Sequence, residues 1–125
     1  MTAPRTVTIG TVDHGTVVLP EPAWCCGHGW QPEPHLADVT HYSAPVKASA
    51  MTEQHGLVQL LLARISHAPY GEQPELYPVV SVELNGSHDY TADDASKVAQ
   101  GLRVAAMRLD MVTAEAQRLR NGGHA

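Results

Sequence analysis

The sequence predicts an α+β fold, a small and mostly antiparallel β-sheet followed by one long C-terminal helix, interrupted by a long Pro-, Gly- and Trp-bearing loop. Three observations predict it. Short β-rich runs separated by turn residues occupy the first two-thirds of the chain, and an apolar stripe at helical spacing occupies the last quarter. Between the second and third runs lies a stretch without periodicity. The 125 residues are one domain's length, so a single domain is expected over residues 1–125.

Residues 5–12 alternate Thr with Val and Ile, and residues 15–19 form a second β-rich run; Asp13, His14 and Gly15 supply turn chemistry between them. Pro20 is expected to end the second strand. From there to Asp38 the prolines Pro20, Pro22, Pro32 and Pro34, with Gly27 and Gly29, break any regular element. A structureless loop longer than about 12–15 residues is uncommon and calls for a function, disorder or an internal fastening. Trp24 and Trp30 within it argue against disorder, because their large apolar surfaces favour burial. Residues 39–49 read as a third strand, with Pro45 marking an edge or a bulge. Residues 57–67 fit either a strand or a helix capped by Thr52; the strand is preferred because residues 77–84 form a strand partner ended by Asn85 and Gly86.

The helix is expected over residues 92–120. Thr91 precedes Asp93 and Asp94, an N-cap followed by acids that the helix dipole favours. Ala95, Val98, Leu102, Ala106, Leu109, Val112, Ala116 and Leu119 then form one stripe at three- and four-residue steps. Such a helix is about 40 Å long, more than a small sheet covers. A homodimer through its C-terminal half would satisfy the surplus, as would a bend or frayed last turns.

Composition narrows the function. Eight Lys and Arg against thirteen Asp and Glu leave a formal charge of −5, which argues against nucleic acid or an anionic membrane as a partner. Residues 1–11 carry no secretory leader, and the longest apolar run, residues 57–65, is broken by Gln59 and Arg64, so a cytoplasmic protein is expected. The two cysteines, Cys25 and Cys26, are adjacent and poorly placed to form a disulfide. No Gly-rich phosphate loop or nucleophile elbow is present, and Asp93 and Asp94 are helix-start charges rather than paired catalytic acids.

Chemistry concentrates in the loop, residues 20–41, where Cys25, Cys26, His28, His35, Asp38 and His41 crowd together. Thiolate, imidazole and carboxylate are the groups that zinc takes, and a structural zinc site wants four of them. Cys25 and His28 have C-x-x-H spacing, with Gly27 relieving the turn, and Asp38 and His41 return the same interval. The expected ligands are Cys25, His28, His41 and Asp38, with His35, Cys26, Glu21 and His14 ranked below them. The competing reading has Cys25 packed as a small hydrophobe beside Trp24 and the histidines simply solvated. His55, His67, His88 and His124 are assigned no role.

The run TVDHGTVVLPEPAWC at residues 11–25, with His28, DVTH at 38–41, PVVSVEL at 78–84 and the Ala/Leu helix, resembles a family of small actinobacterial proteins. That family occurs in streptomycetes and their mobile elements and is marked by E-P-x-W-C-x-x-H and D-x-x-H segments. The resemblance covers residues 6–119 and falls on Glu21, Pro22, Trp24, Cys25, His28, Asp38 and His41; a bias of six Arg to two Lys suits such a genome. It implies no activity. Cys26 and His35 lie outside its pattern.

Three functions compete. The preferred one is a non-enzymatic binding or regulatory module whose loop zinc fastens and whose partner is a protein. A second is an inhibitor or modulator of a host or phage protein, which rests on the mobile-element resemblance and the acidic charge. The third is a metal-dependent hydrolase, with water on an open zinc site and His35 or Glu33 carrying the proton.

Overall fold

The structure is a computed structural model that describes residues 5–122, so Gly123 and His124 lie outside the described residues. β1 (Arg5–Thr11) and β2 (Gly15–Glu21) form a two-stranded antiparallel sheet, in register from Arg5 opposite Glu21 to Thr11 opposite Gly15. Pro20 does not end β2; it pairs with Thr6, on a strand whose other edge has no ladder partner and so loses no bond to the missing N–H.

The second sheet is built on β5 (Gly56–His67), with β3 (His41–Tyr42), β4 (Val46–Thr52) and β6 (Val79–Leu84) paired antiparallel to it. Ser66 stands opposite both Tyr42 and Val79, and Ala63 opposite both Val46 and Val82, so β3 and β4 share one edge of β5 and β6 takes the other. The expected continuous strand over residues 39–49 is thus two pieces parted at Pro45. Ser43 bridges the gap, its backbone N–H donating to Ile65 O at 2.9 Å and its hydroxyl accepting from Ile65 N at 2.8 Å. Residues 57–67 are strand rather than helix, and β6 begins only after Tyr77 and Pro78 because Pro78 has no N–H for the ladder.

Both hairpins turn by the same device, T-x-x-H-G, at Thr11 to Gly15 and Thr52 to Gly56. Each Thr hydroxyl donates to the Gly carbonyl (2.8 and 3.0 Å) and accepts the His N–H (3.0 Å in both). The glycines sit at φ 63° and 65°, where a Cβ is unfavourable. His14 and His55 are therefore turn residues, and the repeat is visible in the sequence once the two segments are aligned.

α1 (Ala92–Arg120) lies on β4 and β5. Its N-cap, Thr91, accepts from Asp94 N, and the buried Asp94 carboxylate in turn accepts Glu53 N at 3.0 and 3.1 Å, tying the helix start to the β4–β5 turn. At the other end Arg120 stacks 5.2 Å from the Tyr77 ring, just before β6. A 12-residue β5 extends about 40 Å and a 29-residue α1 about 43 Å, so the sheet runs nearly the full length of the helix and the expected surplus disappears.

The buried helix face also differs from the expected stripe. Val98, Leu109, Val112, Ala116 and Leu119 turn inward as expected, but Ala95, Leu102 and Ala106 are exposed, and Gly101 and Ala105 face the sheet in their place. The register shift at Ala48 and Ser49 turns both Leu60 and Leu61 into the core, and Ala48, Ala50 and Ala63 form a floor of small side chains. Contact this close selects small residues on the helix, whatever their hydrophobicity. A Cβ on Gly101 would lie 2.7 Å from Leu60 Cδ1 and 3.1 Å from Ser49 O. Among the described residues no helix is long and apolar enough to cross a membrane.

Gly101→Val is expected to lower stability by about 1–3 kcal/mol through overpacking. Denaturant titration reads this directly, and an unchanged midpoint would mean the helix can lift off β4 at little cost.

Candidate metal centre

Four side chains from three segments converge where the hairpin ends and the second sheet begins. The local part is the turn at Cys25 to His28. Cys25 N donates to Pro22 O at 3.0 Å, Gly27 adopts φ 106°, and Cys25 Sγ comes within 3.5 Å of His28 Nε2. Trp30 Nε1 and Gln31 N close the turn behind them, donating to Gly27 O and His28 O.

The non-local part comes from strand register. Glu21 is the last residue of β2, directly across from Arg5, whose guanidinium lies 3.3 Å from Glu21 Oε2. The same Arg5 donates to Ala23 O at 3.2 Å and Cys25 O at 3.3 Å, so one cation orders the carboxylate and the loop backbone together. Glu21 Oε1, on the other side, lies 3.0 Å from His28 Nε2. His41 opens β3 opposite His67, and Cys26 N donates to Tyr42 O at 2.8 Å, drawing the loop onto that strand. One ligand-capable atom each from Glu21, Cys25, His28 and His41 lies within 4.8 Å of the others; these residues could hold a metal ion.

The electrostatics are those of donors without enough protons or partners. The side chains of His28 and Glu21 are 6% and 8% exposed, and Cys25 and His41 are buried. His28 Nδ1 and His41 Nδ1 are buried and make no hydrogen bond among the described residues, and Glu21 Oε1 is held at ion-pair distance from His28 Nε2. Burial, with Glu21 accepting from the thiol, pushes Cys25 up to about 11. Burial lowers His41 to about 4, helped by His28 and His67 and opposed by Glu21. Glu21 is raised by burial but more strongly lowered by Cys25, Arg5 and His28, so it stays ionised.

Of the expected ligands, Cys25, His28 and His41 come together and Asp38 does not. Asp38 ends a single 3-10 turn (Leu36–Asp38) and is exposed. Val39 after it is extended, and Val39 and His41 are buried while Asp38 is not, the alternation of a strand. An x-x interval converges in a turn and diverges in extended chain. His35, Cys26 and His14 are likewise exposed and outside the group. Glu21, ranked low from the sequence, completes it. Asp13, given no site role beyond the turn, anchors the far end of the loop: its Oδ1 accepts Leu36 N at 2.9 Å, beside Val12 N donating to Pro34 O at 3.0 Å.

The model of one family, a domain of unknown function (DUF6907), matches residues 6–118. The chain belongs to that family. No curated protein and no solved structure matches it. The match takes in all four donors of the DUF6907 domain together with α1 up to Arg118.

His41 gives the metal-free DUF6907 domain a pH dependence of definite sign. Its folded value, about 4, lies below the unfolded value of about 6.5, so its contribution is complete above the latter and is lost as pH falls towards the former. Chelator-treated protein should lose stability across that interval, and His41→Gln should flatten the slope; equal slopes in the two, read from denaturation midpoints, would place the titration elsewhere.

Proposed function

We propose that the chain is a non-enzymatic, zinc-fastened binding module acting on a protein partner in the cytoplasm. The observation that carries this reading is the buried convergence of Glu21, Cys25, His28 and His41. A thiolate, two imidazoles and a carboxylate suit zinc in both softness and number. One thiolate and one carboxylate also neutralise a dication, which removes the cost of burying its charge. Four protein donors make a closed set of the kind that supports structure, whereas hydrolysis needs a position for water and a proton carrier beside it. His35 and Glu33, the carriers that such a hydrolase would use, are exposed and outside the group.

The fastened loop supports the binding role. It holds Trp30 half-exposed, 4.9 Å from the Tyr42 ring, and the Arg64 guanidinium lies 3.7 Å over that same ring. An ordered aromatic and cationic surface of this kind is a common anchor for protein partners.

Elemental analysis of protein purified without chelator should find close to one zinc per chain, and little in Cys25→Ser or His41→Ala. Metal-free wild type would overturn the reading. Arg5→Met, which removes the partner of Glu21 Oε2 while leaving all four donors, should weaken zinc affinity about tenfold or more. Competition with a chromophoric chelator measures it, and an unaltered affinity would show that Glu21 needs no support from Arg5.

A further inference from the structure

α1 carries a second apolar seam that the sheet leaves largely open, its Val104 end bordering Ser49, Ala50 and Met51 of β4. Val104, Met107 and Met111 follow one another at steps of three and four and are 41%, 66% and 72% exposed. Gln100 extends the same 4-3-4 spacing by one polar position. The core-facing residues Val98, Gly101 and Ala105 lie on another side of the helix. Two seams of heptad spacing on one helix mean two packing surfaces, and only one is used within the chain.

We infer that a second copy of this chain covers the outer seam, with the two α1 helices packed antiparallel about a twofold axis. The charges beside the seam decide the occupant and its direction. Arg103 and Asp110 are both exposed, seven residues apart, and take the same heptad position on one flank. An antiparallel copy that sets Val104 against Met107 also brings Arg103 of each chain to Asp110 of the other, twice by symmetry. A parallel copy would instead face Arg103 with Arg108 and Asp110 with Glu115, like charges in both cases. The seam is thus self-complementary in apolar spacing and charge, as a twofold interface requires. Met107 and Met111 are flexible enough to interdigitate in it.

Sedimentation equilibrium over a concentration series tests this, with zinc content and far-UV circular dichroism read on the same samples. The wild type should be dimeric. Met107→Lys should raise the dimer dissociation constant about tenfold or more while leaving helicity and zinc content unchanged. Arg103→Glu and Asp110→Lys should each weaken the dimer about three- to tenfold and restore it when combined. Val82→Lys, which alters an exposed apolar residue on β6, should have no effect. A monomeric wild type overturns the proposal, as does a dimer that resists Met107→Lys and Met111→Lys or one that Val82→Lys dissociates. Because the seam contains none of the four donors, a failed dimer leaves the zinc reading standing, and absent zinc leaves the dimer standing.

Discussion

Everything in the amino-terminal third of the molecule depends on the meeting of Glu21 and His41. β1 and β2 form a sheet of their own, and no ladder joins it to the sheet built on β5. The chain between them, residues 22–40, contains one 3-10 turn and otherwise no regular structure. It leaves the base of the hairpin, travels to the hairpin tip at Asp13 and returns to β3. At the junction, Glu21 from the first sheet and His41 from the second lie on either side of the Cys25–His28 turn. Two buried ring nitrogens there, His28 Nδ1 and His41 Nδ1, have no hydrogen-bond partner among the described residues, and a group of that kind is a net cost unless something satisfies it. A cation bound by these four residues would resolve the long loop, the orphaned nitrogens and the isolated hairpin together.

How much of this was legible in the sequence depended on the distance over which each contact is made. The C-x-x-H turn is local, so Cys25 and His28 could be read from spacing and a glycine. His41 could be named but not paired correctly, because the interval it shares with Asp38 lies on extended chain. Glu21 was hardest to rank. Its place in the site comes from strand register across the hairpin and from Arg5, sixteen residues away, neither of which has a local signature.

The helix shows the same division in another form. Its bounds were legible because Thr91, the first-turn acids and the last-turn arginines are local signals. Its buried face was legible in part, at Val98, Leu109, Val112, Ala116 and Leu119. Hydrophobicity points to Leu102 and Ala106, but a floor of Ala48, Ala50 and Ala63 admits the helix so closely that Gly101 and Ala105 fit and a leucine would not. Size complementarity overrides hydrophobic ranking wherever backbones approach this nearly. The doubled T-x-x-H-G turn was fully present in the sequence, and it engages the backbone N–H of His14 and His55 rather than their rings.

The two-residue β3 has a consequence for how the molecule comes apart. The close-packed unit of β4, β5 and α1 contributes none of the four donors, and the incoming loop is joined to β5 through His41–His67, Tyr42–Ser66 and the Ser43–Ile65 bonds before it runs on into β4. Few backbone bonds thus join the helix-covered sheet to the hairpin and its loop, an arrangement that favours separate unfolding units. A cation held by the four donors would couple the two, and its concentration would then act on the amino-terminal third alone.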